Sequence, residues 1–230
     1  MFAELTAKTI AIAQEHGFKS RELGLPFAHA VSELPSGTLT LTTQSQIAAG
    51  VGELRVMNLS SSKVDVVTML LIPESHRELP LYAMQLVSLG GRPIVAVLDA
   101  HTLCGSAAMQ TRSNVLLDEA KSRFPVSRSE DLPEWYRECR SGHEIFSRPE
   151  IVEGFDGHCD GHLWLVRGLL ADYAGEGRML TEAATADHRD RCSAYLRHHA
   201  VNSAGKPLMS RAFGEEFTHR YLDECLFSAE

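Results

Sequence analysis

The chain has 230 residues, of which 44% are apolar and 23% charged, with a formal net charge of −8. That apolar content is too high for a disordered chain, and the length suits one good core or two small domains at most. An acidic balance argues against general nucleic-acid binding, and no stretch approaches the roughly 18 uncharged apolar residues of a membrane span.

Residues 1–20 lack a basic start, an apolar run and a cleavage site, so they are read as the start of a mature cytoplasmic protein. Phe2–Gln14 has the pattern of a short amphipathic helix that Gly17 ends. A strand-rich block follows. Thr38–Thr43 alternates polar and apolar residues, Gly52–Leu59 does so less cleanly, and Val64–Ile72 is rich in Val, Leu and Ile before Pro73. Leu81–Leu89 and Ile94–Leu98 are the next strands, with Gly90–Gly91 as a tight turn between them. No room is left for crossover helices, so an antiparallel meander of about five strands is expected, with more strands open.

Helical patterns then take over. Ser106–Lys121 is one, and a short helix near Pro133 is expected within Ser127–Phe146. Gly154–Gly161 is read as a loop with three glycines, and Leu163–Tyr173 is apolar at helical spacing. Thr181–Val201 is a longer helix broken by Asn202–Lys206, before helical pieces at Pro207–Phe213 and Glu215–Leu226. This order predicts an α/β protein with its sheet covered by helices, in one domain over residues 1–230.

Neither phosphate-cradling motif, GxGxxG after a strand or GxxxxGK[ST], is present, and neither are HExxH and GxSxG. The five cysteines, Cys104, Cys139, Cys159, Cys192 and Cys225, form no CxxC, and most are expected as buried thiols in a reducing compartment. His158, Cys159, Asp160 and His162 form the densest polar cluster. It reads as a glycine-rich surface loop, a zinc site without an evident fourth ligand, or a substrate-contacting loop. Cys139 and His143 lie one helical turn apart, a spacing that chance supplies easily among 11 histidines. His198–His199 ends the long helix, as a solvated cap or as functional groups. Asp99 and His101 follow an apolar strand and share a side of it, as a turn cap or as proton donors.

Two blocks carry a resemblance. Val64–His101 has an apolar strand ending at Pro73, a Leu79-Pro80-Leu81-Tyr82 turn, Leu86-Val87, and a strand ending at Asp99. Tyr195 stands seven residues before Asn202, followed by Ala212-Phe213-Gly214, Glu215, Arg220-Tyr221 and Leu226-Phe227. With Glu144–Pro149 (EIFSRP), these segments resemble the ferredoxin-dependent bilin reductases, and more distantly the red chlorophyll catabolite reductase-like proteins.

The resemblance implies a three-layer α/β/α sandwich with a central antiparallel sheet and a linear tetrapyrrole such as biliverdin between the sheet and the C-terminal helices. It implies electrons from reduced ferredoxin with no bound cofactor or metal, and protons from acidic residues, histidine and water. Several familiar donors are replaced. Gln85 stands for an aspartate, Thr68 for a histidine five residues before Pro73, Asn58 for an acidic residue across a gap, and Ser203 for the aspartate after Asn202. Glutamine, threonine and serine hydrogen-bond well but give up protons poorly at neutral pH. Asp99 and His101 are therefore expected to supply protons, with His76 or water as other sources. Gln85, Thr68, Asn58, Asn202, Ser203, Arg197 and His198 are expected to hold the pigment. Arg189, Arg191, Arg197, Lys206, Arg211 and Arg220 are available for propionates or for an acidic ferredoxin. The chain is expected to act as a cytoplasmic monomer. A non-redox tetrapyrrole-binding protein or lyase on the same fold is one alternative. A metal-dependent enzyme using His158, Cys159 and His162 is another.

Overall fold

The β-branched and alternating run between residues 37 and 101 builds the centre of the molecule. In the computed structural model, which describes residues 2–127, 129, 131–149, 154–174 and 178–229, this run forms the expected antiparallel meander. After α1 (Ala3–Glu15), β1 (Lys19–Arg21) and β2 (His29–Leu34), the meander consists of β3 (Gly37–Ala48), β4 (Gly52–Ser60), β5 (Val64–Pro73), β6 (Leu81–Leu89) and β7 (Arg92–His101). β1 and β2 both pair along the outer edge of β3, and β8 (Ile145–Ser147) pairs with β7, which makes eight strands. β1 and β8 have three residues each, too few for a period of two to be visible in the sequence. Gly90 and Gly91 take φ of +58° and +76° between β6 and β7, the backbone that a two-residue hairpin with the right twist requires.

Alternation gives the sheet two apolar faces. Leu54, Val56, Met69, Tyr82, Met84 and Leu98 pack with α1, α2 (Ala107–Arg123) and α4 (Asp156–Ala174). Leu39, Leu41, Met57, Leu70 and Leu81 pack with α5 (Glu182–Asn202), α6 (Lys206–Phe213) and a π-helical turn, Tyr221–Leu226. Helices thus lie on both sides of the antiparallel sheet, in three layers. Cover on both faces is also why β4 alternates poorly in sequence, since both of its sides are buried.

α3 (Glu134–Arg137) is a single turn that follows Pro133, as expected. Ser106 and Thr181 cap α2 and α5, each hydroxyl accepting a backbone N–H three residues on. α7 (Glu215–Arg220) follows α6 across Gly214.

One expectation fails. Gly154–Gly161 is not a loop, because α4 begins at Asp156. A Cβ on Gly157 would lie 2.8 Å from Val126 Cγ1, and one on Gly161 would meet the Phe124 ring. These glycines let the helix approach the chain after α2 closely, and that packing outweighs their poor helix propensity.

Candidate functional site

Strand register builds the site on the face turned toward α5. Thr68, Gln85 and Val97 form one cross-strand row, and Leu70, Ala83 and Asp99 form the next. Gln85 Nε2 donates to Thr68 Oγ1 at 3.1 Å. Between these rows, α3, α5 and the C-terminal turn lies a cavity of about 150 Å³. Leu70, Val97, Trp135, Phe146 and Phe227 make its walls mainly apolar. Thr68, Gln85, Asp99, Tyr195, His199 and Ser203 provide its polar edge.

Asp99 is fully buried, and donors converge on it. Its Oδ1 accepts the Ala100 N–H at 2.8 Å. Its Oδ2 accepts the Tyr136 hydroxyl at 3.0 Å and the Ser141 N–H at 3.1 Å. His101 Nε2 lies 3.2 Å from the same oxygen and 2.9 Å from the Tyr195 hydroxyl. This one nitrogen therefore faces both groups: as N–H it can donate to the carboxylate or to the Tyr195 oxygen, and as a lone pair it accepts from the Tyr195 hydroxyl. Burial pushes His101 down, and the charges of Asp99 and Glu144 oppose this only in part. Tyr195 and Tyr136 are held well above the usual phenol range, by burial first and then by the charge of Asp99. They remain hydroxyls, able to donate as well as accept. Chemically, the arrangement is one imidazole nitrogen within reach of both an anchored carboxylate and a phenol, with the phenol lining an apolar cavity.

His199 sits one helical turn after Tyr195. Its ring is 4.4 Å from the Tyr195 ring, 5.9 Å from Phe227 in a stacked pose, and 5.5 Å from Trp135 at a right angle. Burial, with the neighbouring imidazoles of His101 and His198, pushes it down to about 3.

A family model of the ferredoxin-dependent bilin reductases matches residues 7–228. The chain belongs to the ferredoxin-dependent bilin reductase family. This is a family of oxidoreductases that act on linear tetrapyrroles such as biliverdin. Among solved structures, phytochromobilin synthase from tomato in complex with biliverdin has a similar fold. The TM-score is 0.79 at 14% identity, over 100% of this chain and 83% of that one.

Of the residues expected from the bilin reductase resemblance, Thr68, Gln85, Asp99 and Ser203 come together around the cavity, with His101 directly behind Asp99 and Tyr195. Others are elsewhere. Asn58 pairs with Val67 and turns to the opposite face, where its Oδ1 accepts the Thr6 hydroxyl at 3.2 Å. Its neighbour Met57 is the residue opposite Thr68. Asn202 turns its amide back to the His198 carbonyl, and His198 donates Nε2–H to the Trp135 carbonyl at 2.7 Å. Arg197 lines a separate surface groove with Arg189 and Lys206. Arg191 pairs with Asp187, and Arg220 with Glu224. Lys206 and Arg211 line another groove that includes Ser203. His76 lies in the turn after β5, where its carbonyl accepts the Leu180 N–H.

The cluster around His158 is divided by its helix. His158 Nε2 lies 2.9 Å from Ser147 Oγ. His162 contacts the Tyr82 and Thr9 hydroxyls, each at 2.9 Å. Among the described residues no group of three or more His, Cys, Asp or Glu is placed to hold a metal ion, and no helix is long and apolar enough to cross a membrane.

Sequence reasoning passed over Tyr136, Trp135, Tyr195 and Phe227 as site residues, and it weighed His199 only as part of the His198–His199 pair. The signal for His199 was its spacing of four from Tyr195, which puts both on one helix face.

Proposed function

We propose that the chain reduces a biliverdin-like linear tetrapyrrole with electrons from ferredoxin, and that the pigment lies over β5–β7 against α5. The observation that carries this reading is the cluster of Asp99, Tyr195 and His101, whose Nε2 faces both of the others, beside an apolar cavity edged by Gln85, Thr68 and Ser203. The pigment accepts electrons one at a time, so the protein needs to bind it, exclude water and deliver protons. Asp99 fixes His101 and balances its charge when it is protonated, and Tyr195 passes a proton on to the pigment. Gln85 and Thr68 present an amide and a hydroxyl to the polar edge of a pyrrolinone ring. Lys206 and Arg211, next to Ser203, suit the propionates, and Arg189 and Arg197 suit an acidic ferredoxin. The whole chain acts as one unit, without a resident cofactor.

The cavity of about 150 Å³ is smaller than the roughly 300–1,000 Å³ typical of ligand sites. Pigment entry therefore requires one wall to yield. The sheet wall is held by continuous ladders. The other is the single turn α3 and the Ser203–Ala204 turn, with far less backbone bonding, and it moves first.

The test is an anaerobic absorption titration with biliverdin, followed in the same cuvette by reduced ferredoxin. Tight binding and a stepwise blue shift are expected. Unchanged spectra with several linear tetrapyrroles would overturn the reading. Binding without reduction would instead support a non-redox pigment carrier or lyase.

A further inference from the structure

We infer that His199 is a second proton donor in this reduction, one that touches the pigment directly. The inference rests on the function proposed above and assigns a residue to the half of the chemistry that Gln85 and Ser203 cannot perform.

Position comes first. Tyr195 and His199 are one turn apart on α5, and both line the cavity opposite the Gln85 row. The His199 ring is clamped by Tyr195, Phe227 and Trp135, so it is presented in one orientation. Its Nε2 lies 3.6 Å from Cys139 Sγ, a weak hydrogen-bonding partner that a pigment can outcompete. Compare His162, whose two ring nitrogens are each matched to a hydroxyl at 2.9 Å.

Charge comes second. The groups facing His199 are Asp99 and His101 on β7, Tyr136 and Cys139 around α3, and Tyr195 and His198 on α5, with Phe227 from the C-terminal turn and Glu144 acting on His101. With these neighbours alone the imidazole is neutral at pH 7. Each electron from ferredoxin adds a negative charge to the conjugated system of the bilin. Negative charge in contact with an imidazole favours the imidazolium. The ring therefore takes up a proton from water as the pigment becomes charged, and it holds that proton beside the atoms that need it.

The step balances. Ferredoxin gives one electron to the pigment. The imidazolium N–H bond breaks, a C–H or N–H bond forms on the pigment radical anion, and neutral His199 remains. A second electron from ferredoxin and a second proton through His101 and Tyr195 complete saturation of one double bond. Water entering past Ser203 reprotonates both histidines.

The experiment compares the full-length chain with His199→Gln and His199→Phe, using biliverdin and photoreduced ferredoxin without oxygen. Both variants are expected to bind biliverdin within about threefold of the parent, which also reports folding. Reduction should slow by about 10²-fold, with a pigment radical accumulating by electron paramagnetic resonance. The rate–pH profile should lose one limb, and His199→Asp should recover part of the rate. Parent-like turnover of His199→Gln without a radical would overturn the inference while leaving the reductase reading intact. So would loss of binding in both variants, since that marks a packing role. An inactive parent chain would overturn the reductase reading itself, and the inference with it.

Discussion

Two histidines on opposite faces of the same sheet make an instructive pair. His162 on α4 and His199 on α5 are both buried and both pushed down to about 3, chiefly by burial. His162 is sealed between Tyr82 and Thr9, within a face packed by α1, α2 and α4. His199 is held by rings and opens onto a cavity edged with further polar groups. Burial and a displaced titration thus do not distinguish a working histidine from a structural one. A weak thiol partner at the edge of a polar-rimmed cavity does.

The largest effect expected from this contrast is on rate. Asp99→Asn keeps the shape but removes the charge that supports His101. Turnover should fall about 10²- to 10⁴-fold while biliverdin affinity, measured by absorption titration, changes little. His162→Gln should leave turnover per folded molecule unchanged. Parent-like activity in Asp99→Asn, or an inactive but folded His162→Gln, would erase the distinction between the faces.

Next is a buried ion pair on the cavity face. Arg55 donates to Glu53 at 2.7 Å and to the Ser228 carbonyl at 2.6 Å, tying the C-terminus down just beyond Phe227. Burial raises Glu53, but the hydrogen bond and charge of Arg55, with Ser45 and Arg21, outweigh it and hold the carboxyl low. Arg55→Met should cost about 3–5 kcal/mol in denaturant unfolding. It should also loosen pigment binding, since Phe227 forms part of the cavity wall.

A smaller loss, about 1–3 kcal/mol, is expected for His162→Ala, which strips the buried Tyr82 hydroxyl of its imidazole partner while Thr9 keeps the Leu5 carbonyl. Measurable loss of pigment affinity in that variant would show that the faces are coupled.

Per unit of pH, the smallest effect is on acid stability. An unfolded histidine binds a proton near pH 6.5, whereas His162 in the fold does so only near 3. Between those values the unfolded chain holds more protons. Stability from this residue is therefore complete above about pH 6.5 and falls as pH drops, by up to about 1.4 kcal/mol per unit. His162→Gln should flatten that slope. Biliverdin should flatten the corresponding share from His199, because the bound pigment lets that ring charge in the folded state.

Local pattern was enough for the long elements. Alternation in Thr38–Thr43 and β-branched, apolar runs in the later segments marked the five strands of the meander, and Gly90–Gly91 marked the turn that joins the last two. Helical spacing and caps marked α1, α2 and α5, and the order from Tyr195 to Phe227 carried the family. These signals are legible because they come from neighbours in the chain and repeat over several residues.

Tertiary contact decided the rest. α4 starts at Asp156 because Val126 and Phe124 need its glycines close, although three glycines in eight residues read as a loop. Asn58 rather than Met57 turns away from the cavity because a one-residue difference in register reverses a strand's side. His199 rather than His198 lines the cavity because the Trp135 carbonyl takes up His198, a partner 63 residues away in the chain. The residue types that can do chemistry were visible in the sequence. Which of them face the cavity depended on packing between distant segments, and local periodicity carries no record of that.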